Sequence, residues 1–424
     1  MNANAQEGSA AGRPEDIPQY VVGMDAHSRK LAISVWDWAD PWNQRQVLEV
    51  KNFEIAALEA TYRGRVPADS VTVIEASTNS AILKDRLEAI GYRAVVVRSD
   101  VIANKERRRR VCDIQDARNL ARAYMKKEVG AFVWTPSPEF GEMREIFFAH
   151  RDTVKDMTRL SNRIWAICSR HGYDLPKRSS DAKAETIRAM VARLGVDGFT
   201  RNWLEHCVAE YERLRARRDE LEAMMAEKVV GNAAMLRLMQ LHGVGFRTSF
   251  LTVAVTEDPH RFPSASKFSA YAGGAPVLDT SGEDEERARA RGGTGKPMDG
   301  TGRTDLKHLY AEAGQTVLSS CADSRLGKWG WRKVMEGKHR NKVVCAIGRK
   351  LQTYAWHIMC GHPAPDRMGE AFFKRKMFSF YSEVGAKRMR ELGHGSRTEF
   401  AEAMAAKVFG HLPPASPDSG ENAA

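Results

Sequence analysis

The chain has 424 residues, 43% hydrophobic and 28% charged, with 65 Lys+Arg against 54 Asp+Glu and a formal net charge of +11. That length accommodates two or three domains, and the cationic excess favours a polyanionic partner. No apolar run reaches the roughly 18 residues of a membrane span. The six cysteines show no C-x-x-C or paired zinc spacing, so a cytosolic chain with reduced thiols is expected.

Residues 1–17 are rich in Ala, Gly, Asn and Glu, lack an apolar signal core and are expected to be disordered. A first domain is expected over residues 18–135. Gln19 to Asp25 is an apolar, β-branched run that ends in a carboxylate, and Ser70 to Glu75 is a second. Both predict buried strands. Lys30–Trp38, Gln46–Lys51 and Arg93–Val97 predict three more strands, and Phe53–Tyr62, Asn79–Ile90 and about Ile114–Lys127 predict helices. Three strands followed by alternating helix and strand is the order of a ribonuclease-H-like fold. A doubly wound sheet is the alternative.

The stretch Cys112 to Ala121 contains Asp113 and Asp116, which a helix sets three residues apart on one face. Carboxylates held that closely repel unless a cation or a shared proton lies between them. An acid at the end of a buried strand faces the crevice where open α/β sheets place ligands. Asp25, Glu75, Asp113 and Asp116 are therefore expected to converge on a site for Mg²⁺ or Mn²⁺, which take oxygen ligands. An actin-like sugar kinase also opens with a strand and an Asp. Here, however, Ala26-His27-Ser28 follows Asp25 without the glycines that cradle a phosphate. Beside the acids lies a basic run with Lys105, Arg107, Arg108, Arg109 and Arg110, expected to grip a phosphodiester backbone rather than read bases.

Residues 136–232 change character. Val154, Met157, Leu160, Ile164 and Ile167 recur at helical spacing, as do Leu204, Cys207, Tyr211, Leu214, Leu221 and Met225, with Arg218 interrupting. A long antiparallel helical pair is expected, broken at Gly172–Ser180, serving as spacer or dimer contact or packing as an ordinary core. Residues 233–362 open with a helix, a turn holding Gly243 and Gly245, and a helix from Arg247 to Val255. This resembles a helix-hairpin-helix DNA-binding element, whose glycines admit phosphate to a helix N-terminus. The extension 363–412 interleaves basic and apolar residues, open to nucleic-acid contact or to docking as an amphipathic helix. Residues 413–424 are expected to be a disordered tail.

The order Val22-Gly23-Met24-Asp25, Glu75-Ala76-Ser77, Asp113-Ile114-Gln115-Asp116-Ala117-Arg118, His242-Gly243-Val244-Gly245 and Gly273-Gly274-Ala275-Pro276 through Ser281-Gly282 resembles the DEDD-type insertion-sequence transposases. The resemblance spans about residues 19–345. It implies an α/β plus all-α chain: a RuvC-like, ribonuclease-H-like N-terminal domain, a helical spacer and a helical C-terminal transposase domain. It implies that Asp25, Glu75, Asp113 and Asp116 bind the metal and that Ser281 is the catalytic nucleophile on a DNA phosphate. It further implies recombination of element ends with target DNA, a structured guide RNA from the element, a homo-oligomer (dimer or tetramer) and a bacterial, nucleoid-associated setting. After Ser281 the link departs from the family pattern, running long from Glu283 to Gly302. Two other functions fit part of the pattern: a junction-resolvase-type metal nuclease that uses water, and a non-catalytic nucleic-acid-binding protein.

Overall fold

The computed structural model describes residues 18–38, 44–98, 113–129, 131–172, 184–193, 195–196, 198–275, 302–363 and 366–410. The chain divides into two compact units between Ser137 and Pro138.

The first unit is built on strands β1 (Tyr20–Ala26), β2 (Lys30–Asp37), β3 (Arg45–Glu54), β4 (Ser70–Glu75) and β5 (Arg93–Val97), with helices α1 (Leu58–Arg65), α2 (Ser80–Ala89) and α3 (Asp113–Met125). The strands form one sheet in the order β3-β2-β1-β4-β5. β1, β2 and β3 pair antiparallel in sequence, and β4 and β5 continue the sheet in parallel. Short links suit the antiparallel half, and α2 supplies the crossover that the parallel half requires.

Because side chains alternate along a strand, the two faces of β1 go to different cores. Val22 and Met24 face α1 and α2, packing with Leu58, Tyr62, Leu83 and Leu87. Val21 faces the other way, with Val71 and Val73 of β4, against Leu120, Ala121 and Met125 of α3. The helix expected from Phe53 begins later, at Leu58 after a short 3₁₀ turn. Phe53 and Glu54 stay in β3 because β2 extends to Leu31 and Lys30, which pair with them. Ladder partners outweigh the local helical pattern there.

The second unit is helical: α4 (Pro138–Arg170), α5 (Ala184–Arg193), α6 (Gly198–Gly231), α7 (Ala233–Leu238), α8 (Phe246–Thr256), α9 (Ala265–Tyr271), α10 (Thr304–Ser320), α11 (Arg325–Met335), α12 (Arg340–Met359), α13 (Glu370–Val384), α14 (Ala386–Glu391) and α15 (Arg397–Phe409). α4 and α6 form the antiparallel pair. Lys228 bonds Glu142 at one end, and at the other Ile164 and Ile167 pack with Leu204 and Cys207. Val154 is exposed, so that member of the apolar stripe lies off the seam.

Spacer, central segment and extension share one core. It runs from Met143 and Phe147 of α4 through Met225 and Val229 of α6 to Phe373, Phe400 and Met404 near the C-terminus. α8 lies at its centre, buried continuously from Thr248 to Thr256. Of the two readings of the extension, the described residues show docking. Phe373 and Met377 of α13 are fully buried, and Lys376 beside them is half-buried. Its Nζ donates to the carbonyls of Met239 (2.7 Å) and Leu241 (3.1 Å), and burial lowers its pKa to about 7.

Candidate metal centre

The parallel register of β1 and β4 pairs Gly23 with Val73 and Met24 with Ile74. One step further on stand the carboxylates, Asp25 just before the end of β1 and Glu75 at the end of β4, on the face that α3 covers. How closely α3 approaches is decided by Gly23. A Cβ there would stand 1.8 Å from the Ala117 carbonyl oxygen and 2.8 Å from the Ala121 nitrogen. Only glycine lets the α3 backbone rest on β1. Arg118 then ties α3 to Glu49 of β3 through a bidentate ion pair, its Nη2 lying 2.9 Å from Oε2. Arg122 stacks over Trp36 of β2 at 4.8 Å. With the helix fixed by these contacts, Asp113 and Asp116 occupy its first turn, where peptide dipoles favour anions.

Asp25, Asp113 and Asp116 sit within electrostatic reach of one another, and Glu75 within reach of Asp25 and Asp116. His27, at the turn after β1, lies among them. Its Nε2 is 3.3 Å from Asp25 Oδ2 and 3.3 Å from Asp113 Oδ1. One ligand atom each from Asp25, His27 and Asp113 falls within a 4.8 Å set. Asp25 is 8% exposed, and among the described residues its Oδ2 is buried without a hydrogen-bond partner. The His27 contact has ion-pair distance but not hydrogen-bond geometry. His27 is held from behind, its carbonyl accepting from Asn79 Nδ2 at 3.0 Å. A buried, unpartnered carboxylate oxygen facing further acids and an imidazole suits a divalent cation with oxygen and nitrogen ligands.

The electrostatics agree with that chemistry. Burial raises the pKa of Asp25, His27 partly offsets it, and Asp116 and Asp113 push it further up. Glu75 is raised by burial and then by Asp25 and Asp116. Asp116 is raised by burial and then by Asp113, with His27 opposing. A folded-state pKa above the unfolded value means that the folded chain binds the proton more tightly. The cluster therefore favours folding most at low pH, and this contribution is lost as pH rises through the raised values. Asp116→Asn is accordingly expected to raise the Tm of the metal-free protein at neutral pH and to shrink the gain in Tm on adding Mg²⁺. Differential scanning fluorimetry with and without EDTA measures both. An unchanged metal-free Tm would contradict the repulsion.

His27 is the site residue that the sequence reading did not single out. The available signal was Asp25-x-His27, a spacing that in an extended chain returns both side chains to one face. Ser281 and the basic run Lys105, Arg107, Arg108, Arg109 and Arg110 lie outside the described residues.

The chain on either side of the 276–301 segment is tightly held. Arg303 N donates to Tyr271 O at 2.7 Å, and Gly274 N to Ser269 O at 2.8 Å. Gln352 accepts from Ser269 Oγ at 2.8 Å and donates to Ala272 O at 3.1 Å. Gly274 is needed there, because a Cβ would stand 2.1 Å from Gln352 Oε1.

The two hairpin glycines have different surroundings. Gly243, at φ +78°, faces α10, and a Cβ on it would stand 2.3 Å from Ala313 O. Its lack of a side chain serves helix packing. Gly245 has open space where its Cβ would be and precedes α8. The cavity beside it is lined by Arg247 and Lys376 but also by Glu312 and Glu383, so its charge is mixed.

Residues 235–296 match the family model described as "Transposase IS116/IS110/IS902 family". That stretch includes the α7–α8 hairpin and α9 and extends through Ser281. A protein of Pseudomonas aeruginosa named "Probable family 20 transposase" is 21% identical over 250 residues, covering 58% of this chain and 71% of its own length. Among the described residues, no helix is long and apolar enough to cross a membrane.

Proposed function

We propose that this chain is an insertion-sequence transposase that cuts and rejoins DNA by divalent-metal-assisted phosphoryl transfer. The observation that carries the reading is the grouping of Asp25, His27 and Asp113, whose ligand atoms lie within 4.8 Å of one another around an Asp25 Oδ2 without a hydrogen-bond partner, with Asp116 and Glu75 close enough to act on Asp25 or to feel its charge. It stands in a chain whose residues 235–296 match a transposase family. The strand order β3-β2-β1-β4-β5, with its antiparallel half leading, supports a ribonuclease-H-like, RuvC-like assignment of the first unit.

Asp25, Glu75, Asp113 and Asp116 would hold Mg²⁺ or Mn²⁺, which when bound supplies polarisation of the phosphate and stabilisation of the leaving oxygen. Without a cation the carboxylates repel one another and any approaching phosphodiester. His27 Nε2, 3.3 Å from both Asp25 and Asp113, would offer a nitrogen ligand beside them.

Ser281 is the proposed nucleophile, on the strength of its place in the Gly273-Gly274-Ala275-Pro276 to Ser281-Gly282 motif. Its Oγ would form an ester with the DNA phosphorus as a strand oxygen leaves. The hydroxyl proton must pass to a base, since serine is a weak nucleophile while protonated. Attack by a second strand's hydroxyl on that ester would release the serine and rejoin DNA. A guide RNA encoded by the element and an oligomeric assembly belong to the same proposal and rest on the resemblance alone.

The test is a denaturing gel of full-length protein with Mg²⁺, DNA carrying the element's ends and RNA transcribed from its flanks. A covalent protein–DNA adduct is expected, lost in Ser281→Ala and in Asp113→Ala. Nicked DNA without adduct, surviving Ser281→Ala but not Asp113→Ala, would replace the serine reading with a nuclease that uses water.

A further inference from the structure

The α11–α12 corner carries a concentration of charge that the acidic cluster does not explain. Between Ser324 and Lys342 stand seven cations (Arg325, Lys328, Arg332, Lys333, Lys338, Arg340 and Lys342) against one acid, Glu336. Lys333 bonds Glu336 at 2.7 Å, and the same acid feels Arg332 and Lys338. Among the described residues, Arg325, Lys328, Arg332, Lys338, Arg340 and Lys342 form no salt bridge, and all six are exposed.

The corner is stiff. Ser324 Oγ caps α11 by accepting from Gly327 N at 3.0 Å, and His339 Nδ1 caps α12 by accepting from Asn341 N at 3.2 Å. α11 lies close on its neighbours, since a Cβ on Gly330 would meet Ile347 Cδ1 at 2.8 Å. Lys328 and Arg332, four residues apart, share its outward face. Met335 at the end of that helix is 85% exposed.

We infer that this corner is a docking surface for the phosphate backbone of duplex DNA. So many unpaired cations on a rigid edge complement a polyanion, whose condensed counterions they would displace. The aromatic residues favour a duplex over a single strand. A single strand binds by stacking its bases on free ring faces. Here Arg340 sits over the Trp331 ring, which is 38% exposed, at 5.7 Å, and Lys350 over the half-buried Trp329 ring at 4.8 Å. Trp331 is further fixed by Nε1–H donation to Leu318 O at 2.9 Å. The rings therefore brace cations and leave the contact to the backbone. The choice of DNA as the duplex rests on the transposase reading. The surface itself stands on charge and geometry.

The experiment is fluorescence anisotropy of the full-length protein with a short duplex DNA across a salt series. The variant is Lys328→Ala/Arg332→Ala/Arg340→Ala, with single-stranded DNA and duplex RNA as comparison ligands. The variant is expected to bind duplex DNA at least about tenfold more weakly, with a log–log salt slope shallower by roughly 2–3. Mn²⁺ affinity at the acidic cluster should be unchanged. Trp331→Phe should leave single-strand affinity untouched. An unchanged slope and affinity in a folded triple variant would overturn the inference and leave the transposase reading intact. A loss confined to duplex RNA, or to single strands, would replace the occupant. Wild-type protein that binds no DNA at all would overturn both readings.

Discussion

Asp25→Asn is expected to slow Mg²⁺-dependent DNA strand cleavage by at least about 10³-fold, equivalent to about 4 kcal/mol of transition-state stabilisation. Asp25 is the most enclosed acid of the cluster, and its Oδ2 has no hydrogen-bond partner among the described residues. Asparagine keeps the volume and removes the charge that the site would offer a cation. Because the ionised carboxylate is held against burial and against Asp116 and Asp113, the variant is expected to fold at least as stably as the parent without metal. A variant that loses activity while gaining metal-free stability separates a functional carboxylate from a structural one. Circular dichroism melts beside single-turnover cleavage rates provide both readouts. Wild-type rates in a folded Asp25→Asn would remove this residue from the mechanism.

The second large effect is on stability and lies in the helical unit. Glu222 of α6 is buried, and its Oε1 accepts from Arg247 at 2.8 Å and lies 2.9 Å from His150 Nε2. Arg247 also donates to Glu383 of α13 at 2.5 Å. Glu222 thus joins α4, α6 and α8, and Arg247 carries the network on to α13. Burial alone would raise its pKa, but His150 and Arg247 outweigh burial and hold it below the ordinary range. Glu222→Ala leaves His150 and much of the Arg247 charge without their shared acceptor, and is expected to cost about 3–5 kcal/mol. Since the folded pKa is depressed, this contribution is complete above the unfolded value and fades as pH falls through the folded one. Denaturant melts at neutral and acid pH should show the gap between parent and Glu222→Gln narrowing in acid. A gap that does not change with pH would mean that the pairing carries no charge.

The strands were readable because β1 and β4 are short β-branched runs ended by acids, and alternation then fixes which face Asp25 and Glu75 share. The Asp113–Asp116 pair was readable from helical spacing. Less accessible was what binds these pieces together. Gly23 looks like any strand glycine until Ala117 is known to lie against it. His27 gains meaning only when Asp113 arrives from a distant helix. The common core of spacer, central segment and extension joins residues hundreds of positions apart, and no local period records that. Gly243 shows the converse. A Gly-x-Gly before a helix suggests a phosphate loop, yet its missing side chain accommodates α10. Lys376, in a run that the sequence leaves open to nucleic-acid contact or to docking, is half-buried and bonded to two carbonyls. In each case a tertiary contact decided what the local chemistry left open.

The most direct test of the central claim is a calorimetric titration of the full-length protein with Mn²⁺, set beside Asp25→Asn/Asp113→Asn. Saturable binding to the parent protein is expected, weakened by at least about 100-fold in the double variant. The parent's affinity is expected to fall as pH drops into the raised range of Asp25, Glu75 and Asp116. Identical isotherms for parent and variant would contradict that claim, and the four acids would then be a charged surface without a metal.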